Sequence, residues 1–223
     1  MADSVRLIEV KENVLDDNEV VARALRERLK EEKTFLVNLM ASPGAGKTST
    51  VIATCQGLKG ALNVGVLEAD IDSMVDAEKV AATGTKAVQM RTGGFCHLDA
   101  TMVGDGLEAI GSKDFDLIIL ENVGNLVCPA EFDTGSSVNA MILSVPEGDD
   151  KPLKYPLMFS VCDVVLINKM DAISLFDFDR KKFEEGVRRV NPSCEIFEIS
   201  CKTGEGVEAW ISWLKERVTA HNG

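Results

Sequence analysis

Three layers, with a mostly parallel central sheet and helices on both faces, form the α/β fold this sequence predicts, and three observations predict it. Short apolar runs of strand length recur along the chain, helical patterns separate most of them, and a glycine-rich turn joins the first run to a helix. Alternation of this kind means crossover units, which set successive strands parallel and bring their carboxyl-end loops to one edge of the sheet.

The elements follow in order. Asp16 to Lys33 carries Val21, Leu25 and Leu29 at four-residue spacing with Ala24 alongside, which predicts an amphipathic helix, and Asp16 with Glu19 fits a capping box at its start. Thr34–Met40, Leu62–Glu68, Thr85–Met90, Asp116–Glu121, Cys162–Asn168 and Cys194–Ser200 read as six strands, and VNAMILSV, Val138 to Val145, offers a further one. Asp149 to Pro152 reads as a loop, and Trp210 and Trp213, at helical spacing in VEAWISWLKERV, as packing residues. No internal repeat or low-complexity tract interrupts the pattern.

Composition excludes several classes. The 223 residues are 45% hydrophobic, ample for one large core, yet no apolar run approaches the length of a membrane span. The first residues lack the layout of a secretion signal, so a cytoplasmic protein is expected, with no membrane partner and its six cysteines reduced. A net charge of −12 repels a nucleic acid backbone, and no local basic patch overrides it.

SPGAGKTS, Ser42 to Ser49, lies between the first strand and its helix, the context that a phosphate loop requires. Gly44, Ala45 and Gly46 would turn backbone amides toward phosphate oxygens, with Ser49 at the start of the helix. Lys47 would reach the β- and γ-phosphates, and the Thr48 hydroxyl would ligate Mg²⁺. Ala41 stands at the first glycine position of the usual pattern, which must tolerate a methyl group in this chain. The predicted fold is thus the three-layer P-loop NTPase fold: one domain over residues 1–223, with 1–33 an N-terminal extension and amphipathic helix and 34–223 the nucleotide-binding core.

NKMD, Asn168 to Asp171, follows an apolar strand and resembles the guanine-reading motif of GTPases. Asp171 can accept from guanine's N1 hydrogen and 2-amino group, whereas adenine offers a lone pair and no amino group there. Asn168 would hold the loop, and the stem of Lys169 would pack along the base. GTP and GDP are the expected ligands.

Two acidic segments face the phosphates. Glu68, Asp70, Asp72 and Asp76 cluster beyond the strand LNVGVLE, and bound magnesium would relieve their repulsion. Asp70 is the choice for magnesium or for orienting the attacking water, with Glu121 as the second acid on the γ-phosphate side; Lys47, Asp70 and Glu121 are the expected catalytic groups. Asp72 also fits a helix cap, with Asp76 and Glu78 in the first turns.

ENVGNLVCP, Glu121 to Pro129, joins a phosphate-side carboxylate to a thiol, and Gly124 permits a close or left-handed turn between them. Cys96 and His97 follow two glycines in TGGFCHLDATMV. Thiolate and imidazole suit zinc, nickel or copper(I) rather than magnesium, but adjacent residues in an extended chain point apart, so a third ligand is needed. Cys128, which taken alone reads as a small buried hydrophobe, lies in a loop that the crossover topology can bring to the same edge. Cys55, Cys162 and Cys194 read as core, Cys201 as contributing backbone, and His221 as frayed.

With SPGAGKT, GGFCHLD, ENVGNLVCP, EGDDKPLKYP (Glu147 to Pro156), NKMD and SCKTGEG, the chain resembles the HypB family, GTPases that insert nickel during [NiFe]-hydrogenase maturation. The resemblance spans nearly the whole chain. It implies a fold shared with signal-recognition and MinD-like GTPases, GTP hydrolysis, Mg²⁺, and Ni²⁺ or Zn²⁺ held by Cys96, His97 and Cys128. It places Ser200, Cys201 and Lys202 in a second base-contacting loop. The implied partners are a HypA-type nickel accessory protein, the hydrogenase large subunit precursor and a second copy of the chain. The apolar Ser174 to Phe178 reads equally as a dimer surface or as core. No N-terminal cysteine cluster or histidine-rich stretch is seen, so nickel storage is not expected. Rival readings are a urease-type nickel chaperone GTPase, whose Cys-Pro-His tripeptide is absent, and a regulatory GTPase switch without a functional metal.

Overall fold

Seven strands build the centre: β1 (Phe35–Ala41), β2 (Val64–Asp70), β3 (Lys86–Arg91), β4 (Leu117–Glu121), β5 (Val138–Ser144), β6 (Val164–Asn168) and β7 (Glu195–Glu198). They pair in parallel throughout, in the order β3-β2-β4-β1-β5-β6-β7. The computed structural model describes residues 10–70 and 74–223; the cap expected at Asp72 lies outside them. VNAMILSV is a full strand between β1 and β6, and its burial on both faces explains why it shows no polar alternation.

The helices are α1 (Val10–Glu32), α2 (Lys47–Leu58), α3 (Val75–Ala81), α4 (Ala100–Ile110), α5 (Lys151–Lys154), α6 (Pro156–Ser160), α7 (Arg180–Val190) and α8 (Val207–Asn222). Alternate residues of β1 feed opposite layers. Phe35, Val37 and Leu39 pack with Cys55 and Leu58 of α2 and Trp210 and Leu214 of α8. Leu36 faces the other way, among Leu25 and Leu29 of α1 and Val103 and Leu107 of α4. Phe159 of α6 and Phe183 of α7 cover β5 and β6 on that second face. Among the described residues no helix is long and apolar enough to cross a membrane.

Trp210 is buried and donates its indole N–H to Thr54 Oγ1 at 2.9 Å, while Trp213 stacks on it. Cys55, Cys162 and Cys194 are core, and burial pushes the Cys55 and Cys194 thiols up to about 11, which keeps them protonated and unreactive. Of the apolar Ser174 to Phe178, Leu175 and Phe176 are exposed and Phe178 is buried.

Four local expectations need correction. The loop read at Asp149 to Pro152 ends at Asp150, for Lys151 and Pro152 open the short helix α5, where proline is tolerated in the first turn. The first helix begins by Val10, so Asp16 and Glu19 lie in its interior and form no capping box at its start. Its inward stripe is Asn18, Ala22, Leu25 and Leu29, with Val21 and Ala24 turned outward. The helix is rotated because Asn18 has partners inside, which a count of apolar residues does not register. His221 is not frayed: its ring meets Phe35 edge to face at 5.3 Å within α8.

Candidate nucleotide and metal site

The end of β2 and the loops after the other six strands carry the motifs at the carboxyl edge. In the sheet's order this edge presents Cys96 and His97 after β3, Glu68 and Asp70 on β2, Glu121 to Cys128 from β4, the phosphate loop after β1, Glu147 after β5, NKMD at β6 and SCKTGEG after β7.

Gly46 ends the phosphate loop with φ 105°, and a Cβ there would sit 2.3 Å from Asn168 Nδ2. Only glycine meets both demands. Asn168 donates to the Ala45 carbonyl at 3.0 Å and Lys169 Nζ to the Gly44 carbonyl at 2.7 Å, so the guanine-type loop braces the phosphate-type loop directly. Asn168 Oδ1 accepts from the Cys201 amide at 3.3 Å. Ser200 Oγ donates to Asp171 Oδ1 at 2.7 Å, and this bond, with Lys202 3.6 Å away, holds the Asp171 carboxyl below its ordinary range. Ala41 is fully buried in the core, which accounts for the methyl group at that position.

A cavity of about 450 Å³ is lined by Gly44, Lys47, Thr48, Ser49, Asp70 and Glu121, with Glu68 and Asp76 beside them. The Thr48 hydroxyl donates to Glu121 Oε1 at 3.0 Å. Glu68, opposite Glu121 in the β2–β4 register, is buried too. Burial, then the neighbouring Glu121 charge, pushes the Glu68 carboxyl up to about 10. Burial also raises Glu121, against the opposing pull of Glu68 and Lys47. Glu68 Oε1 and Glu121 Oε2 have no hydrogen-bond partner among the described residues. Two orphaned carboxyl oxygens beside a hydroxyl, with no sulfur or nitrogen donor among them, fit a hard divalent cation such as Mg²⁺. Asp70 sits at the rim of the same cavity, half-buried. Glu68 was legible only as one acid among several; its place opposite Glu121 needed the strand register.

From Glu121 the chain runs straight to the cysteine cluster. Asn122 is fully buried and anchored through Asn38 at 3.0 Å. Gly124 serves as a close approach: a Cβ there would lie 3.1 Å from Pro43 and 3.3 Å from Lys47 Nζ. Leu126 enters the core, and Asn125 accepts from the Val127 amide at 2.9 Å while donating to the Cys96 carbonyl at 3.3 Å.

Cys96, His97 and Cys128 converge, their ligand atoms all within 4.8 Å of one another. The Cys96 and Cys128 sulfurs are 3.1 Å apart as free thiols, and His97 Nδ1 is 3.9 Å from Cys96 Sγ. A bend at Cys96 and His97 turns the adjacent side chains together, where an extended chain would part them. The His97 ring stacks on Phe132 at 3.9 Å, and burial holds its pKa below the ordinary value, favouring the neutral ring a metal requires. The Cys128 hydrogen bond and burial raise the Cys96 thiol. Two sulfurs and one imidazole fit a borderline or soft ion.

Glu147 had no assigned role in the sequence. Its carboxylate accepts from the amide and hydroxyl of Ser144, both at 2.8 Å, and from the hydroxyl of Ser42 at the mouth of the phosphate loop. Glu147→Gln is expected to weaken GDP binding by about threefold to tenfold, the range for one charge-assisted bond to a partly exposed group. A titration with a fluorescent guanine nucleotide checks it, and unchanged affinity would remove Glu147 from the site.

A parallel seven-stranded sheet with a phosphate loop after its central strand and a guanine-type loop two strands away defines a P-loop GTPase fold, a scaffold that supports nucleotide hydrolysis. The family model described as CobW/HypB/UreG, nucleotide-binding domain, matches residues 35–198. The hydrogenase maturation factor HypB of Escherichia coli K12 is 43% identical over 210 residues, covering 94% of this chain and 72% of that protein. The crystal structure of HypB from Archaeoglobus fulgidus superposes with a TM-score of 0.85 at 37% identity, covering 92% of this chain and all of that one. HypB from Helicobacter pylori in complex with nickel superposes with a TM-score of 0.86 at 36% identity, covering 92% and 97%. The chain belongs to the CobW/HypB/UreG family, on its HypB branch of hydrogenase maturation factors.

Proposed function

We propose that this protein is a GTP-hydrolysing metallochaperone that carries nickel, or zinc, at Cys96, His97 and Cys128 and assists GTP-dependent nickel insertion into the [NiFe]-hydrogenase large subunit. One observation carries the reading: the eight residues from Glu121 to Cys128 meet Thr48 at 3.0 Å at their front and set the two thiols 3.1 Å apart at their rear. A change at the terminal phosphate therefore has a covalent path to a metal ligand. The nickel complex of the H. pylori relative supports nickel as the cargo.

In this reading the whole chain works as one unit. Lys47 binds the β- and γ-phosphates, Asp171 selects guanine, and Asn168, Lys169, Ser200, Cys201 and Lys202 keep that selector against the phosphate loop. Thr48, Asp70 and Glu121, joined by Glu68, hold Mg²⁺, which when bound neutralises charge developing on the phosphates. Asp70 orients the attacking water, and hydrolysis of GTP to GDP and phosphate releases Glu121 and its segment. Cys128 moves with the segment, one thiolate leaves, and the weakened two-ligand site passes its ion on. A HypA-type accessory protein and the large subunit precursor are the partners, and the protein acts in the cytoplasm as a nucleotide- or metal-dependent homodimer.

Nickel titration of the full chain in GDP and in a non-hydrolysable GTP analogue tests the coupling. The two nickel affinities are expected to differ by about fivefold or more, and nickel must alter the affinity ratio of the two nucleotides by the same factor. Equal affinities would dismiss the mechanism and leave a switch with an unconnected metal.

A further inference from the structure

We infer that Asn18, on the first helix, is a positioning residue for the Cys96, His97 and Cys128 centre, and that α1 belongs to the metal site's framework. The inference rests on the metal reading above.

Asn18 is 8% exposed, on a helix otherwise rich in charged residues. Its Oδ1 accepts from the Ala100 amide at 2.8 Å, and its Nδ2 donates to the Asp133 carbonyl at 2.9 Å. Those two groups belong to different ligand-bearing segments. Ala100 opens α4 three residues after His97, and Asp133 lies five residues after Cys128.

The placement is tighter than those spacings suggest. Asp133 directly follows Phe132, whose ring lies under the His97 imidazole at 3.9 Å. One amide side chain thus fixes the backbone on both sides of that stack, behind His97 and behind its platform. Ala100 N is a first-turn amide with no partner inside its helix, so the bond from Asn18 also satisfies an orphan donor. The pairing needs a side chain that accepts and donates at once; a carboxylate cannot donate, and an aliphatic chain does neither.

Arg26, two turns along α1, reinforces the same point. It grips the Asp133 carboxylate through two contacts of 2.7 and 2.8 Å and donates to the Ser136 carbonyl at 3.0 Å. That ion pair is substantially exposed and holds less firmly than the buried amide. Leu98 and Leu126 anchor the two ligand loops separately in the core, whereas Cys96 is exposed and Asn125 reaches its carbonyl at 3.3 Å, so Asn18 is a buried polar link that ties both segments to one side chain.

Asn18→Leu and Asn18→Asp test this in the full chain, the second keeping the acceptor for Ala100 while losing the donor to Asp133. Nickel affinity is expected to fall by about tenfold to a hundredfold in the leucine variant, the range for outer partners that orient metal ligands, and by less in the aspartate variant. A metal-free readout accompanies it. With oxidised glutathione, the Cys96 and Cys128 thiols form one disulfide and release two molecules of reduced glutathione, a loss of 2 Da. This closure is expected to slow about tenfold in Asn18→Leu, because the sulfurs no longer rest side by side.

Wild-type affinity and closure rate in both variants, with GDP binding retained as evidence of folding, would overturn the inference. Should Asn18→Leu fail to fold, the aspartate variant decides by the same two readouts. Should the wild type bind no nickel while closure still slows in the variants, the metal reading falls and the positioning role of Asn18 stands.

Discussion

Replacing Cys128 by serine is expected to lower nickel affinity by roughly a hundredfold to a thousandfold and to abolish its dependence on the nucleotide. Tetrahedral structural zinc sites gain about 10–16 kcal/mol, so each ligand is worth about 3 kcal/mol or somewhat more, and a serine hydroxyl is a poor ligand for a soft ion. The loss of nucleotide dependence is the more specific part. Cys128 is the proposed ligand at the end of the Glu121 segment, while Cys96 and His97 sit on the loop after β3, which has no direct bond to the phosphate loop among the described residues. Cys96→Ala should therefore weaken nickel comparably yet leave part of the difference between GDP and GTP-analogue states. Calorimetric titration of both variants in both states checks this. A Cys128→Ser protein that retained the wild-type ratio would show that the signal, if any, travels by another route.

Asp171→Asn is expected to weaken GTP binding by roughly a hundredfold to ten-thousandfold and to improve binding of xanthosine triphosphate. Asp171 would accept two hydrogen bonds from guanine, each worth about 1.5–3 kcal/mol when one partner is charged. An asparagine amide instead points donors at guanine's own donors. Xanthine carries a carbonyl where guanine carries its 2-amino group, so the same amide finds an acceptor there. The surroundings favour a clean reading: Ser200 Oγ at 2.7 Å can donate to the asparagine oxygen as it does to Asp171, which keeps the loop in place. Competition against a fluorescent nucleotide measures both effects, and undiminished GTP affinity would move base recognition elsewhere.

How far the sequence carried is clearest at particular residues. The phosphate loop was legible because glycine, lysine and threonine at a helix start have almost no other use, and NKMD because it follows a strand. Glu121 was legible at a strand end, yet Glu68 was not separable from Asp70 and Asp76, since burial depends on which strand lies opposite. Cys96 and His97 looked like poor co-ligands; the local bend that unites them is set by Thr92, whose hydroxyl donates to the Phe95 carbonyl at 2.7 Å. Asn18 and Glu147 were missed for one reason: their bonding partners are distant in sequence, and a polar residue in a charged helix or an acidic loop gives no local sign of being needed inside.

What the sequence determined by itself is whatever depends on near neighbours: six strands and a candidate seventh, the turn of the phosphate loop, and the residue types suited to phosphate, guanine and a soft metal. The tertiary structure decided the rest. Strand order placed the loops after β3 and β4 within reach of each other, register paired Glu68 with Glu121, and the rotation of α1 turned Asn18 inward. Periodicity encodes which face of an element is apolar, but distances between elements arise only when those faces pack, and a site built from several strand-end loops and a helix exists only at that stage.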